Sequence, residues 1–222
     1  MNGTLKLWLE GPFQSYGTEP RFEHLTTGLE PSKSALVGMC CAAEGRDLSK
    51  DVSDLAGLRM GVLVLREGKI LRDYHIARNV PMANGKQRTI QTWRYYLMDA
   101  VFLVGLEGDM ELLERLQKAF ENPAGFISLG RKACVPSESI WLPDGLREGE
   151  LVAALSSYPR RPSRRWQYES PRKRLVLDLG LSGTDGEARN DWPLSLDPRS
   201  RRFATRRVKT MWVDQVEETD VV

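Results

Sequence analysis

The sequence predicts an α+β protein with a ferredoxin-like fold, the class that also contains the RNA recognition motif. Three observations predict this class. Several short segments alternate apolar and polar residues with period two, two longer segments have helical periodicity, and the elements follow the order strand, helix, strand, hairpin, strand, helix, strand. A basic, mainly β region is expected after them. Because this class hosts many activities, the fold alone does not define the function.

Four segments have the alternation or the apolar run of a strand. In the first of them, Leu5, Leu7 and Leu9 lie on one side. A turn at Glu67-Gly68 separates the second strand from an additional extended segment. The predicted strands are Thr4–Glu10, Arg59–Arg66, Val101–Leu106 and a shorter one near Ser139–Leu142, and the additional extended segment is Ile70–Ala77.

Two segments have the capping residues and the apolar stripe of a helix. The first, Ser32–Glu44, begins with Ser32 as N-cap and ends before Gly45. The second, Asp109–Glu121, begins with Asp109 as N-cap, and its apolar residues recur every three to four positions. These two helices complete the ferredoxin-like pattern.

The segment Arg78–Tyr96 predicts an inserted hairpin, because Asn84-Gly85 is a strong turn signal between two extended arms. Polar, basic and aromatic side chains interleave along the second arm, and a hairpin this polar is not suited to fill a core. The mixture suits single-stranded nucleic acid, since arginine neutralises phosphate and aromatic rings stack on unpaired bases. In the alternative interpretation, Trp93 and Tyr95 are ordinary strand aromatics with inward faces.

The stretch Gly28–Ser34 resembles a phosphate-binding loop that leads into the first helix. It lacks both glycines of the nucleotide-binding pattern, because Thr27 and Ser32 stand in their positions. What remains is a helix N-terminus with Lys33 and Ser34 in the first turn, which can hold one phosphate without nucleotide hydrolysis. The alternative is a capped helix with a solvated lysine.

A second candidate phosphate site lies at Gly130, Arg131 and Lys132. The glycine would let the backbone come close to a ligand while the two cations hold it. The alternative is a glycine turn with two exposed charges.

The composition of the 222 residues, 41% hydrophobic and 28% charged, is that of a globular protein. No apolar run is long enough for a signal peptide or a membrane span, so a cytoplasmic protein is expected. The three cysteines have neither the pattern of a disulfide framework nor zinc-ligand spacing, and we expect buried, reduced thiols.

The positive charge is concentrated in the last third of the chain. Between Pro159 and Lys209 there are fourteen Lys or Arg residues and six Asp or Glu residues, a net charge of +8, so the rest of this +2 protein carries −6. This segment is expected to contact a polyanion or an acidic partner subunit. A solvated basic face is the alternative.

Seven short motifs occur in order along nearly the whole chain. Together they resemble the Cas5-type subunits of type I-E CRISPR Cascade surveillance complexes, which belong to the RAMP superfamily. Tyr16 departs from the family pattern, in which Trp is common. The motifs are Gly11-Pro12-x-Gln14-Ser15-Tyr16-Gly17, Pro31-Ser32-Lys33-Ser34, Asp73-Tyr74-His75, Thr89-Ile90-Gln91-Thr92-Trp93-Arg94-x-Tyr96-Leu97-x-Asp99-Ala100, Leu129-Gly130-Arg131-Lys132-x-Cys134, Asp191-x-Pro193 and Arg202-Phe203-Ala204-x-Arg206.

The resemblance implies a ferredoxin-like domain over residues 1–145 with a short thumb hairpin at about 78–96, and a basic C-terminal region over residues 146–222. It implies a subunit that caps the 5′ handle of the CRISPR RNA, contacts the backbone and large subunits, meets target DNA only indirectly and has no membrane contact. The helix N-terminus at Pro31–Ser34 would face the RNA backbone. The residues expected to contact the RNA are Gln14, Ser15, Tyr16, Arg21, Lys33, Ser34, His75, Arg88, Thr89, Gln91, Trp93, Arg94, Tyr96, Arg131 and Lys132.

The sequence has two imidazoles that could serve catalysis, His24 and His75. Relatives in type I-C systems cleave the CRISPR repeat with a Tyr, Lys and His set, and RNA cleavage without metal needs a base and an acid. The type I-E pattern matches better, and in those systems a separate subunit cuts. We therefore expect no catalysis, cofactor or metal. A metal-independent repeat endoribonuclease is the alternative, and a general single-strand RNA binder or a structural subunit without RNA contacts is a third possibility.

Overall fold

The computed structural model describes residues 2–17, 24–158, 172–214 and 216–217. Helices and mostly antiparallel strands are mixed, so the predicted α+β class is confirmed. The strands are β1 Asn2–Glu10, β2 Phe13–Gln14, β3 His24–Leu25, β4 Arg59–Arg66, β5 Lys69–Pro81, β6 Gln87–Met98, β7 Val101–Asp109, β8 Leu146–Glu148, β9 Ser157–Tyr158, β10 Arg172–Gly180, β11 Glu187–Ser195, β12 Arg202–Asp214 and β13 Val216–Glu217. The helices are α1 Lys33–Glu44, α2 Ser53–Gly57, α3 Met110–Glu121 and α4 Leu151–Ser156.

Seven strands form the main sheet in the order β11-β12-β10-β4-β7-β1-β8. The alternation in β1 sorts its side chains between two cores. Leu5, Leu7 and Leu9 share one core with apolar residues of α1 and α3, whereas Trp8 belongs to a second core under α4. The strand is therefore buried on both faces, and its apolar side chains contribute to both cores.

The capping residues predicted for the two long helices are confirmed. The Ala35 N–H donates to Ser32 Oγ at 3.3 Å, and the Glu111 N–H donates to Asp109 Oδ1 at 3.0 Å. Helix α1 ends at Glu44 and is capped by Gly45, whose φ of 68° is the left-handed conformation that glycine adopts without strain. No helix in the described part of the chain is long and apolar enough to cross a membrane.

The strand predicted near Ser139–Leu142 is wrong, because β8 is the strand that pairs with β1 at that edge. The predicted segment still runs beside β1, since the Trp8 N–H donates to Ile140 O at 2.9 Å. A turn in which the Gly145 N–H donates to Leu142 O at 2.9 Å then interrupts the ladder. The proline within this turn has no N–H to offer a neighbouring strand.

The C-terminal strands continue the main sheet. β10 pairs antiparallel with β4 on one side and with β12 on the other, and β11 forms the edge. Val176 of β10 and Val208 of β12 join the same core as Val62 of β4. The division between residues 1–145 and 146–222 remains a prediction.

A second sheet carries a long hairpin made of β5 and β6. Its register runs from Lys69 opposite Met98 at the base to Pro81 opposite Gln87 near the tip. The hairpin is longer than the predicted segment 78–96, because the extended stretch before it pairs with β6. The short strands β2 and β3 pair with the other edge of β6.

The turn of this hairpin is the predicted Asn84-Gly85. The Gly85 N–H donates to Met82 O at 2.9 Å, and the Lys86 N–H donates to the Asn84 side chain at 3.1 Å. Gly85 has a φ of 76°, which accounts for the glycine at this position.

Candidate nucleic-acid interface

The hairpin is strongly cationic. Residues 69–98 contain six Lys or Arg residues and one Asp, a net charge of +5. Almost all of β5 and the first part of β6 are exposed or half-buried. An exposed element with this charge attracts polyanions.

The register of β5 and β6 divides the hairpin side chains between two faces, because successive side chains in a strand alternate. One face, here called the cationic face, contains the residues Asp73, His75, Arg88, Arg94 and Tyr96. The opposite face, here called the aromatic face, contains the residues Arg72, Tyr74, Thr89, Gln91, Trp93 and Tyr95. The RNA contacts predicted on β6 therefore do not lie on one surface.

Two arginines converge at the base of the cationic face. Leu25 of β3 is the register partner of Arg94, and Arg131 Nη2 donates to the Leu25 carbonyl at 2.6 Å. The Arg131 guanidinium also lies over the Tyr96 ring, 5.1 Å from its centroid. Within the described residues, neither Arg94 Nε nor Arg131 Nη1 has a hydrogen-bond acceptor, although both atoms are buried. These two N–H groups are unpaired but enclosed, so an anion can reach them only when the side chains move.

Gly130 holds Arg131 in this position. Its φ is 91°, and a Cβ placed on it would lie 1.8 Å from the Ser15 carbonyl oxygen. Any residue with a side chain would separate the turn from β2 and its neighbours. Lys132 follows on the surface and is exposed.

His75 lies further along the cationic face, and its Nε2 contacts Asp73 Oδ2. Both side chains are exposed. Arg88 lies near the tip and is exposed as well. The predicted contacts of His75, Arg88, Arg94, Tyr96, Arg131 and Lys132 are thus compatible with one continuous surface.

Gln14, Ser15 and Tyr16 do not lie on that surface, because all three are buried beneath the hairpin. Gln14 Nε2 donates to the Ala100 carbonyl at 2.7 Å, and Tyr16 Oη donates to Gln14 Oε1 at 2.7 Å. Burial raises the pKa of Tyr16 well above its usual value. In this structure these side chains anchor the base of the hairpin, so their assignment as RNA contacts is corrected.

The assignment of Lys33 as a phosphate contact is also corrected. Its side chain is 2% exposed, and its Nζ donates to Asp178 Oδ2 at 2.5 Å and to the Leu58 carbonyl at 2.9 Å. The ammonium also lies 3.6 Å from the centroid of the Trp192 ring. Burial lowers the pKa of Lys33 to about 8, although Asp178 acts in the opposite direction.

The N-terminus of α1 does bind an anion, but the anion belongs to the protein. The Lys33 backbone N–H donates to Asp191 Oδ2 at 2.8 Å. Arg206 donates to the same carboxylate from Nε and Nη2, at 2.7 and 2.9 Å. Ser34 is half-buried, with its Oγ 3.2 Å from Ser32 Oγ. The helix start is thus tied to β11 and β12 and does not face a ligand.

Part of the predicted basic segment is neutralised inside the molecule. Arg174 pairs with Glu30 and Glu67, and Arg189 pairs with Glu30 and Glu187. Arg160, Arg161, Arg164 and Arg165 lie outside the described residues, as does the predicted RNA contact Arg21. The described part of the segment offers less free positive charge than the sequence count indicates.

The three cysteines are buried and none of them forms a disulfide, as predicted. Among the described residues, no group of three or more His, Cys, Asp or Glu side chains is arranged to hold a metal ion.

Sequence reasoning missed two residues of the aromatic face. His24 stacks on Trp93, with ring centroids 4.8 Å apart and 6° between the planes, and Tyr74 lies beside the same indole at 5.4 Å. From the sequence, His24 is considered only as a candidate catalytic imidazole and Tyr74 only as part of a motif. Only the register of the three strands shows that these residues lie together, and that register cannot be derived from one sequence.

Fold and surface together define an α+β protein with an exposed cationic hairpin, and three comparisons give it a family. The family model described as "CRISPR-associated protein (Cas_Cas5)" matches residues 4–209. The chain is 34% identical over 160 residues to "CRISPR system Cascade subunit CasD" of Escherichia coli K12. The aligned region covers 64% of this chain and 71% of that protein.

Two solved structures are also similar. One, described as "Crystal structure of Cas protein", has a TM-score of 0.74 and 39% identity and covers 96% of this chain and 95% of its own. Another, described as "CRISPR RNA-guided surveillance complex", has a TM-score of 0.78 and 31% identity and covers 95% of this chain and 90% of its own. The chain therefore belongs to the Cas5 family of CRISPR-associated proteins.

Proposed function

We propose that the protein is the CRISPR RNA-binding subunit of a type I-E Cascade complex, that it caps the 5′ handle of the RNA, and that it has no catalytic activity. The similarity to a Cascade subunit and to a chain of an RNA-guided surveillance complex supports this proposal. The backbone and large subunits of such a complex are the proposed protein partners, and the cytoplasm is the proposed location.

The body of this subunit is proposed to be ferredoxin-like. Strands β1, β4, β7 and β8 lie in the sheet order β4-β7-β1-β8, and helices follow the first and third of them in the chain. Four antiparallel strands with this order and these helices support the ferredoxin-like interpretation. The β5–β6 hairpin is then the thumb, inserted between β4 and β7.

The observation that carries the proposal is the pair of incompletely bonded guanidinium groups on the cationic face. A buried arginine N–H without an acceptor is costly, and a phosphate oxygen would satisfy it once the side chain turns toward the cationic face. Because Arg94 is the register partner of Leu25 and Arg131 donates to the Leu25 carbonyl, one segment of RNA backbone could engage both. Neither contact selects a base, so the predicted binding is not sequence-specific.

The positions of the two histidines support the non-catalytic role. Metal-independent cleavage needs a base and an acid on either side of one phosphate. His24 stacks on the aromatic face, whereas His75 lies on the cationic face beside Asp73. The two imidazoles therefore do not converge on one phosphate.

The RNA-binding role is tested by purifying the protein with its neighbouring subunits and sequencing the bound nucleic acid. Recovery of CRISPR RNA with the assembled subunits is expected. A lone chain without RNA, under conditions in which the neighbours assemble, contradicts the proposal.

The contribution of the two arginines is tested by salt dependence. Arg94→Ala and Arg131→Ala should each weaken binding to unrelated single-stranded RNAs alike and flatten the log–log salt slope by roughly 0.7 to 1. Arg115→Ala, which removes an exposed charge from α3, is the matched control and should leave the slope unchanged. Equal slopes for all four proteins refute the phosphate contacts.

The non-catalytic role is tested with repeat RNA and the purified chain. The RNA should remain intact with or without EDTA, and His75→Ala and His24→Ala should not change that result. Specific cleavage of the repeat that is lost in either variant, typically by ~10²- to 10⁴-fold, establishes the endoribonuclease alternative.

A further inference from the structure

We infer that His24, Trp93 and Tyr74 form a stacking platform for an unpaired RNA base, on the face of the hairpin opposite Arg94. This inference rests on the proposed function, and it adds a second binding surface to it. The ligand of this surface is a nucleobase rather than a phosphate.

The three rings form one row across three adjacent strands. Trp93 of β6 has His24 as its register partner on β3 and Tyr74 as its partner on β5. His24 and Trp93 are parallel within 6°, and Tyr74 is tilted by 38° against Trp93. On RNA-binding sheets, an aromatic ring can stack on an unpaired base through a face that no neighbouring ring covers. Among the described residues, the outer members of this row, Tyr74 and His24, each have one such face.

The outer members of the row are exposed. Tyr74 has 47% of its surface accessible, and His24 is exposed as well. Ile76 lies in the next row of the same face and is 48% exposed. An aromatic ring in a core would be buried, so filling a core does not account for this row.

The charge around the row indicates which ligand it fits. Arg72 occupies the row on the other side of Tyr74, opposite Tyr95, and is exposed. The whole hairpin carries +5, so the partner of an aromatic surface here is a polyanion with flat apolar groups. Single-stranded RNA has both, because each base has a stacking face and each linkage a charge.

The position of the row also constrains the path of the RNA. Among the described strands β5 pairs with β6 alone, so β5 is the open edge between the two faces. A strand whose phosphates lie on Arg94 and Arg131 can cross this edge and leave one base on the aromatic face. That base is removed from the stack of its neighbours.

The test uses two single-stranded probes with the same number of phosphates, an oligoadenylate 12-mer and a fully abasic 12-mer. Tyr74→Leu should lower the affinity for oligoadenylate about 5- to 150-fold, the range that one stacked base contributes. The same variant should bind the abasic probe like the wild type, and its salt slope should be unchanged. Tyr74→Phe keeps a ring and should restore most of the affinity.

Trp93 reports on the same contact by fluorescence. Oligoadenylate should quench the emission that is present in the wild type and missing in Trp93→Phe, and the abasic probe should not. Unchanged melting temperatures of the Tyr74 variants exclude unfolding as the cause of any loss.

An equal loss of affinity for both probes, or no loss for oligoadenylate, overturns the base platform. If Arg94→Ala still flattens the salt slope, the proposed RNA-binding function survives that result. If the wild type binds neither probe at low salt, both proposals fail. Retention of RNA affinity together with loss of a co-purifying subunit in Tyr74→Leu would assign this face to a protein partner and would also overturn the inference.

Discussion

Replacing Lys33 by methionine separates a structural lysine from an RNA-binding one. The substitution keeps the length of the side chain but removes the charge that neutralises Asp178. Removing one partner of a buried ion pair costs ~3–5 kcal/mol, because the other charge stays buried without it. Asp178 keeps the Gly180 N–H at 2.8 Å and has Arg206 at 3.6 Å, so we expect a value near the lower end, about 3 kcal/mol.

The expected loss is measured by thermal unfolding of the purified chain. For a domain of this size, 1 kcal/mol corresponds to a shift of roughly 2–4 °C, so Lys33→Met should lower Tm by roughly 6–12 °C. Asp178→Asn is the matched variant on the other side of the pair. The double variant should lose less stability than the sum of the two single variants, because it leaves no buried charge without its partner.

The RNA assay gives the opposite expectation. Lys33→Met should leave the salt slope of RNA binding at the wild-type value, whereas Arg94→Ala should lower it. A variant with the wild-type Tm and a flattened slope would show that the Lys33 ammonium contacts phosphate, and the reasoning from burial would be refuted.

Two further predictions concern Gly130 and the cysteines. Gly130→Ala should destabilise the protein by ~1–3 kcal/mol and weaken RNA binding. The added Cβ would collide with Ser15 O at a backbone φ of 91° and displace Arg131. A variant with the wild-type Tm and RNA affinity would contradict this prediction. Burial raises the pKa of Cys41 to about 11 and also raises the pKa values of Cys40 and Cys134. Iodoacetamide at pH 8 should therefore label none of the three thiols until denaturant is added. Mass spectrometry of the folded protein checks this result.

The regular elements could be predicted because their signals are local. The N-caps Ser32 and Asp109, the stop at Gly45 and the turn at Asn84-Gly85 each depend on a few neighbouring residues. The strand predicted near 139–142 is wrong because strand pairing depends on residues that are distant in the sequence. Its apolar residues do lie beside β1, but the turn that ends at Gly145 moves the continuous pairing to the following segment.

The aromatic row could not be predicted, because a bulge sets its register. Counting back from the turn with Val80 opposite Arg88 would place Tyr74 opposite Arg94. The bulge between Ala77 and Val80, where Asn79 has a φ of 56°, shifts the pairing by one residue and brings Tyr74 opposite Trp93. A one-residue shift exchanges the two faces of a strand, so the sequence pattern alone assigns this residue to the wrong surface.

The roles of Lys33 and Asp191 could not be predicted because their contact spans 158 positions of the chain. A lysine beside a helix N-terminus is usually solvated, and no neighbouring residue in the sequence indicates that this lysine has a buried partner. The sequence correctly indicated that an anion belongs at this helix start, and it could not indicate that β11 supplies it.

The carboxylate at the start of α1 has a consequence for synthesis of the chain. Helix α1 is translated early, but Asp191 follows Lys33 by 158 positions, and Arg206 comes later still. Until then the Lys33 ammonium has no carboxylate from Asp178, and the outer edge of β4 has no β10 to pair with. The N-terminal half therefore reaches its final arrangement only once β10, β11 and β12 have been made, and a chain that stops before β10 leaves the edge of β4 unpaired.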